Sequence, residues 1–314
     1  MTDETGADVH PREVTAPCED HANPHDRNAD ESALDIHGVA SESRESAAPA
    51  SKRRIDSHAY GVLLRLAYDG AGYSGFVRQD NARTIGGELE GAIRVIDPRA
   101  TLLRAVSRTD AGVHARGQIA AFDTNKDINA RGWVLALSQQ ISRQIAVVGA
   151  ARVPTGFDPR RHVLRKTYRY SILRSATHDP FWHERAWRVY ERLNHSALVD
   201  EASNLVGTHD FRAFRSAQDT RENTVRTLLR ADVSTSQCDP RVVEIEVEGD
   251  RFMHRMMRII CGTLVDVARD RVKPGAVRRA LASGRREDLG MTAPAEGLCL
   301  MDITLDTQGE AGWP

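Results

Sequence analysis

The stretch Ala105–Phe122, AVSRTDAGVHARGQIAAF, places two opposite charges and a glycine between two apolar runs. Arg108 lies two residues before Asp110, so both side chains point to the same side if the chain is extended. A neighbouring guanidinium keeps a carboxylate ionised and fixes its orientation. Gly112 permits a tight turn that would present the carboxylate. The pattern therefore predicts a loop aspartate that acts as a nucleophile or a base.

A histidine four residues after this aspartate raises a second kind of chemistry. Asp110 and His114 could together ligate a metal ion or form a proton relay. A metal site needs a third ligand, and the sequence offers none at a suitable local spacing, because His209 and His254 are isolated. We therefore expect His114 to orient or pack the loop, and we predict no metal site.

The first half of the chain is predicted to alternate between strands and helices around this loop. YGVLLRLAYDG alternates apolar and polar residues as a strand does, and the glycine-rich GAGYSG follows it. Thr84 is a candidate N-cap for a helix in TIGGELEGAIRVID. A strand at Thr101–Val106 should lead into the loop, and a strand at GQIAAFDT should follow it. WVLALSQQIS predicts a helix, and IAVVGAARV predicts a strand.

The second half repeats this order. Its predicted elements are the strand KTYRYSILR, the helix HSALVDEASNLVG, the strand pair VRTLLRADVST and RVVEIEVEGD, the helix RFMHRMMRIICGTLVDVARD and the strand AEGLCLMDITL. In the second strand of the pair, Val243, Ile245 and Val247 should face a core. Two successive halves of this kind predict an α+β protein, with helices on one face of a mixed or antiparallel sheet and a cleft on the other.

Basic residues recur at helical spacing in the long predicted helix. Arg251, Arg255 and Arg258 lie at positions i, i+4 and i+7, so they should share one face. From the spacing alone, this face is either a solvated stripe or a phosphate-binding surface. Arg160 and Arg215 are further candidates for contact with a polyanion.

Charge and composition divide the chain. Residues 1–56 contain 13 acidic and 6 basic residues, whereas the rest contains 31 acidic and 37 basic residues. The acidic segment lacks apolar periodicity and is predicted to be disordered, and the basic remainder hints at a polyanionic partner.

No apolar run is long enough to span a membrane. The four cysteines form no close pair, which disfavours a zinc or disulfide framework and indicates a reducing cytoplasm.

Seven segments carry a resemblance to a known family. SRTDAGVHARGQ is similar to the catalytic motif of the TruA family of tRNA pseudouridine synthases, with eight contiguous matches from Arg108 to Ala115. Further landmarks of that family follow in the same order, from Tyr60 to Leu305. They are LAYDGAGYSGFVRQ and TIGGELE near the start, FDPRRHVLRKTYRY and GTHDFRAFRSA in the middle, and FMHRMMRIICGTL and APAEGLCLMDI near the end.

The resemblance implies roles for four residues. The family's nucleophile falls on Asp110, and its arginine partner falls on Arg108. The active-site tyrosine falls on Tyr168, as an aromatic platform for the base, and the second basic residue falls on Arg258. The reaction would convert uridine to pseudouridine without a metal or cofactor, by breaking the N1–C1′ bond, turning the uracil over and rejoining it through C5.

The resemblance also implies the fold, the substrate and the assembly. We expect one continuous, mostly antiparallel mixed sheet of two halves, 57–160 with the catalytic loop and 161–306 completing the site, followed by a short tail at 307–314. The substrate would be tRNA, at uridines 38, 39 and 40 of the anticodon arm, and the protein would be a cytoplasmic homodimer. The alternatives are activity on other RNA positions, a catalytically silent RNA-binding protein, and a metal-dependent hydrolase.

Four positions depart from the family pattern. Gly86 stands where glutamine is usual, which weakens the predicted helix start by about 1 kcal/mol relative to alanine. Asp158 replaces a common histidine, Ile259 replaces a common asparagine, and Ser107 replaces a glycine directly before the catalytic motif. None of these changes removes a residue with an implied role in the chemistry.

Overall fold

A computed structural model describes residues 58–306, so the predicted tails at 1–56 and 307–314 lie outside the described residues. The ten strands are β1 Tyr60–Tyr68, β2 Arg104–Ala105, β3 His114–Thr124, β4 Ile145–Val153, β5 Val163–Arg174, β6 Trp187–Val189, β7 Gly207–Asp210, β8 Val225–Thr235, β9 Val242–Gly249 and β10 Leu298–Leu305. The five α-helices are α1 Ile85–Ile96, α2 Ala130–Ser138, α3 His195–Ser203, α4 Met256–Ala268 and α5 Ala276–Ser283. Short 3-10 helices cover Pro159–His162, Arg212–Phe214 and Arg286–Asp288.

All ten strands form one mixed sheet, which confirms the predicted α+β class. The order along the sheet is β4-β1-β3-β10-β5-β9-β8-β7, with β2 beside β3 and β6 beside β5. The pairs β3–β10 and β5–β6 are parallel, and the other pairs are antiparallel. The last strand, β10, therefore joins the strands of the first predicted half to those of the second. The boundary near residue 160 stays a prediction.

Local signals in the sequence placed several elements correctly. Thr84 caps α1, because its side-chain oxygen accepts a hydrogen bond from the backbone N–H of Gly87. Val243, Ile245 and Val247 of β9 are all buried, as their alternation predicted. Such local patterns need no knowledge of distant contacts, which is why they could be predicted from the sequence.

Two elements beside the active loop are shorter than predicted. Only two residues, Arg104–Ala105, of the expected strand at 101–106 pair with β3. The long helix expected from Arg251 begins only at Met256, because Arg255 adopts a left-handed conformation at φ 60°. The backbone of His254 is bonded to the segment 216–219 rather than to a helical turn. Arg251, Arg255 and Arg258 therefore do not share a helix face, and that prediction is wrong.

The cleft lies on the same face of the sheet as the helices, whereas the sequence predicted the opposite face. Tyr168 and Tyr170 are two residues apart on β5 and point to one side. Tyr170 lies close to Cys261 of α4. On the same side, the strand register places Phe122, which packs edge-to-face on Trp133 of α2. The helices cover this face only in part, and the cleft opens beside the start of α4.

Helix α4 is buried almost all round. Twelve of its thirteen residues are buried, and the exception is Arg258 in the first turn. Other elements therefore surround this helix on nearly every side. Within residues 58–306, no helix is both long and apolar enough to cross a membrane.

Candidate active site

Asp110 lies in the loop between β2 and β3, at a turn that depends on glycine. Gly112 has a φ of 77°, in the left-handed region that favours glycine. The backbone N–H of Val113 donates to the carbonyl of Asp110 at 3.2 Å and closes the turn. The side chain of Asp110 is 18% exposed, so its carboxylate is largely screened from water but reaches the cleft.

The glycine-rich segment 70–76 supports this loop from behind. The N–H of Phe76 donates to the carbonyl of Thr109 at 3.1 Å, and the N–H of Gly112 donates to the carbonyl of Tyr73 at 3.3 Å. The hydroxyl groups of Tyr68 and Thr109 are 2.8 Å apart. The glycines of this segment allow close backbone approach, so the segment acts as a brace for the loop that carries Asp110.

Gly75 is a tight point of this brace beside the carbonyl of Thr109, and its replacement should loosen the loop. A Cβ at Gly75 would come within 2.8 Å of the Thr109 carbonyl, and its φ is 93°. Gly72 provides a matched control, since its φ is 74° and nothing lies within 4 Å of the added carbon. Gly75→Ala should reduce both the free energy of unfolding and kcat. Gly72→Ala should cost only the backbone strain of about 1–2 kcal/mol. Urea unfolding and single-turnover rates check this, and equal effects of the two changes would contradict it.

Both oxygens of the Asp110 carboxylate face a basic side chain. The Arg258 Nη1 donates to Oδ2 at 3.0 Å, and the His254 Nε2 lies 3.4 Å from Oδ1. Arg258 is itself fixed, because its Nε donates to the carbonyl of Ala293 at 2.8 Å. A charge-assisted bond of this kind holds the plane of the carboxylate. Oδ1 has the longer contact and is the freer of the two oxygens.

Arg108 does not fill the position that the sequence indicated. Its side chain is exposed at the cleft, and within residues 58–306 it makes no hydrogen bond to Asp110. Spacing of i and i+2 places two side chains on the same side of an extended chain, but it does not by itself make them hydrogen-bond partners. The guanidinium that pairs with the carboxylate belongs instead to Arg258, 148 residues further along the chain.

Tyr168 forms one wall of the cleft together with its neighbours. Its ring is 9% exposed and packs edge-to-face on Phe252, with the ring centroids 5.0 Å apart. Its hydroxyl donates to Ser107 Oγ at 3.3 Å. Burial raises the pKa of Tyr168 to about 12, and the negative charge of Asp110 adds to the rise. The phenol is therefore protonated at neutral pH.

Lys166, two residues before Tyr168, also reaches the cleft. Its Nζ donates to Ser107 Oγ at 2.9 Å and to the carbonyl of Val106 at 3.3 Å. Burial lowers the pKa of Lys166 to about 8, with a further contribution from the positive charge of Arg221. The ammonium form still predominates at neutral pH.

A carboxylate on the opposite wall holds the segment 218–221 in place. Asp219 is 7% exposed and accepts hydrogen bonds from the Arg221 guanidinium and from the backbone N–H of His254, the latter at 2.9 Å. The guanidinium and these backbone donors hold the pKa of Asp219 well below its usual range. Asp219 thus positions both Arg221 and the backbone of the residue that faces Asp110.

The cleft is large and lined by cations. Its volume is about 790 Å³, more than a single pyrimidine base requires. Arg160 and Arg215 were both predicted to contact a polyanion. Arg160 lines the cleft, whereas Arg215 does not and instead donates to the carbonyl of Arg221. Arg251 also lies outside the lining. The lining cations are Arg108, Arg160, Lys166, Arg221 and Arg255. Such a surface is suited to a phosphate backbone.

His114 links three segments and does not point to a metal. Its Nδ1 accepts the N–H of Gly70 at 3.1 Å, so the proton lies on Nε2, which donates to the carbonyl of Glu296 at 3.1 Å. In this tautomer, the 3.1 Å approach of Nδ1 to Asp69 is proximity and not an ion pair. No cluster of three or more potential metal ligands occurs in the part of the chain that the structure describes.

Comparison with known proteins identifies the family. Residues 202–306 match a family model described as tRNA pseudouridine synthase. The tRNA pseudouridine synthase A of Geotalea daltonii is 36% identical over 242 residues, which cover 77% of this chain and 98% of that protein. The chain belongs to the tRNA pseudouridine synthase A family. The member from Moorella thermoacetica is 38% identical over 241 residues, with 76% of this chain and 97% of that protein covered.

A solved structure of a dye-decolorizing protein from V. cholerae gives a TM-score of 0.16 at 10% identity, over 78% of this chain and 91% of that one. A TM-score this low does not indicate a shared fold.

Within this tRNA pseudouridine synthase A family member, the four candidate residues are placed differently. Asp110 and Tyr168 line the cleft, Arg258 pairs with Asp110 from behind, and Arg108 lies exposed among the lining residues. Sequence reasoning missed His254, which it treated as isolated. The signal was present, because His254 lies four residues before Arg258 in the segment that carries the family motif. It also missed Lys166, Asp219 and Arg221, which become neighbours only through the fold.

Proposed function

We propose that this chain isomerises uridine to pseudouridine in tRNA, with Asp110 as the nucleophile. The observation that carries the proposal is the Asp110 carboxylate, paired with Arg258 at 3.0 Å and placed in a cation-lined cleft. A purely RNA-binding protein gains nothing from a carboxylate among cations that contact phosphates. Membership of the tRNA pseudouridine synthase A family supports the same reaction.

We assign the parts of the reaction to particular atoms, and the hydrogen bonds of Asp110 support the assignment. Arg258 holds Oδ2, so Oδ1 is the oxygen that we assign to attack at C1′ or at C6, or to assistance of a glycal route. The N1–C1′ bond breaks, the uracil turns over, and a C5–C1′ bond forms. The C5 proton leaves and N1 takes up a proton, so no atom is gained or lost overall. The uracil must leave its stack to reach Asp110. Tyr168 and Phe252 provide the aromatic surface for it.

The exposed cations act on the rest of the RNA. Arg108 and Arg255 are exposed at the cleft and are not paired with carboxylates within residues 58–306. Arg160 and Arg221 are held by Asp158 and Asp219. We assign this group to phosphates on either side of the target nucleotide. The two predicted halves at 57–160 and 161–306, the homodimer and the cytoplasmic location belong to the same proposal and rest on the family resemblance.

The preferred uridines are those at positions 38, 39 and 40 of the anticodon arm. Transcripts of tRNA tritiated at uridine C5, each with a single anticodon-arm uridine at one of these positions, should release tritium with the protein. A transcript with cytidine at all three should release none. Release that is unchanged by the cytidines would place the activity elsewhere in the tRNA, and no release from any transcript would refute the isomerase.

A further inference from the structure

Ser107 brings the hydrogen bonds of two cleft residues to one buried hydroxyl. Its Oγ accepts from Lys166 Nζ at 2.9 Å and from the Tyr168 hydroxyl at 3.3 Å. Its backbone is clamped by Gln118, whose amide accepts from the Ser107 N–H at 3.2 Å and donates to the Ser107 carbonyl at 2.7 Å. Ser107 is 4% exposed and Gln118 is fully buried, so this hydroxyl has a fixed position.

Lys166 makes no ion pair with a carboxylate in residues 58–306, although it is partly buried. Burying an ammonium group without a counter-ion is unfavourable, and hydrogen bonds offset the penalty in part. Here they come from Ser107 Oγ and the Val106 carbonyl. Most arginines of the described chain are paired with carboxylates, so an unpaired lysine beside the reacting base calls for a role.

The Tyr168 hydroxyl is the donor in its bond to Ser107, and the Lys166 ammonium donates to the same serine oxygen. A serine oxygen has two lone pairs, and an ammonium group can only donate. With one lone pair taken by Lys166, the other accepts the Tyr168 hydrogen. A phenol that donates to Ser107 offers only its own lone pairs to a ligand in the cleft. It therefore accepts a hydrogen bond from an N–H group, which uracil carries at N3.

We propose that Ser107 and Lys166 are positioning residues for Tyr168, which hold its hydroxyl as a hydrogen-bond acceptor toward an N–H of the uracil. Lys166 fixes the serine hydroxyl, and the serine hydroxyl fixes the phenol. Neither positioning residue touches the base. The inference rests on the proposed isomerase function and assigns the orientation of one wall of its site.

A double-mutant cycle tests the coupling. Tyr168→Phe should lower kcat, because the acceptor oxygen is lost. Ser107→Ala should lower kcat by about fivefold to tenfold with KM changed less than twofold, as expected for loss of the one neutral hydrogen bond that holds the Tyr168 hydroxyl. In the Tyr168→Phe background, Ser107→Ala should have no further effect, since the hydroxyl that it positions is gone. Independent, multiplying effects of the two changes would overturn the proposal, and so would an unaltered kcat in Ser107→Ala.

Variants of Lys166 distinguish an effect of its positive charge on kcat from an effect of its packing. Lys166→Met should match Ser107→Ala in kcat, and Lys166→Arg should restore most of the activity because a guanidinium also only donates. Ser234→Ala, on the exposed strand β8, is the control. Thermal unfolding shows whether each variant is folded. Equal activity of the Met and Arg variants would refute the role of the charge. An inactive wild-type protein would instead refute the proposed function.

Discussion

Asp110→Asn should abolish tritium release from C5-labelled tRNA, with a fall in rate of at least about 10⁴-fold, the order seen when a nucleophile is removed. The amide cannot act as a nucleophile, but it keeps the shape of the carboxylate. It can still accept the hydrogen bond from Arg258, so the loop should stay in place. The binding of tRNA should persist within a few-fold, because the lining cations are untouched.

Asp232→Asn is the matched control for this change. Asp232 lies on strand β8 outside the cleft, and its only ion pair within residues 58–306 is with Arg230. Its amide variant should turn over tRNA at the wild-type rate. Tritium release by Asp110→Asn at the wild-type rate would remove the nucleophile from the proposal. Loss of both binding and turnover would mean that the aspartate is needed for the shape of the cleft.

Arg258→Lys should lower kcat by about 10²-fold while the protein stays folded. The guanidinium makes two bonds at once, from Nε to the Ala293 carbonyl and from Nη1 to Asp110. A lysine has a single nitrogen and cannot bridge both positions in this geometry. The carboxylate would keep a nearby positive charge but lose its fixed plane, which matters for attack from a defined direction.

Arg269→Lys provides the comparison at the other end of α4. Arg269 is nearly buried and pairs with Asp266 and Glu191, far from the cleft lining. It should lose stability to urea but keep kcat. If Arg258→Lys behaves like Arg269→Lys, with stability lost and turnover retained, then Arg258 is a packing residue and the assigned pair with Asp110 is not functional.

The order of strands and helices could largely be predicted, whereas the contacts of the site could not. Alternation on β9 and the Thr84 cap are local signals, and the structure follows them. The expected partnership of Arg108 with Asp110 rested on local spacing, which places two side chains on one side of the chain but does not fix a contact between them. The guanidinium that pairs with Asp110 instead of Arg108 is set by the packing of α4. No local sequence pattern specifies that packing.

The same limit explains the residues that sequence reasoning missed. His254 meets Asp110 because the chain before Met256 forms a left-handed turn instead of the expected helix. Lys166 and Ser107 belong to separate motifs and meet only across the sheet. The resemblance to a family supplied the identity of the key residues. It did not supply their contacts, because those depend on how separate motifs pack against one another.

The position of β10 has a consequence for the order of events during synthesis. This strand is made last, yet it lies between β3 and β5 in the middle of the sheet. The carbonyl that holds Arg258 belongs to Ala293, just before it. A ribosome adds about 5–20 residues per second. A nascent chain therefore exposes its aspartate for many seconds before the arginine and its support exist. Until β10 is added, the nascent chain lacks both the strand between β3 and β5 and the carbonyl just before that strand, which holds Arg258.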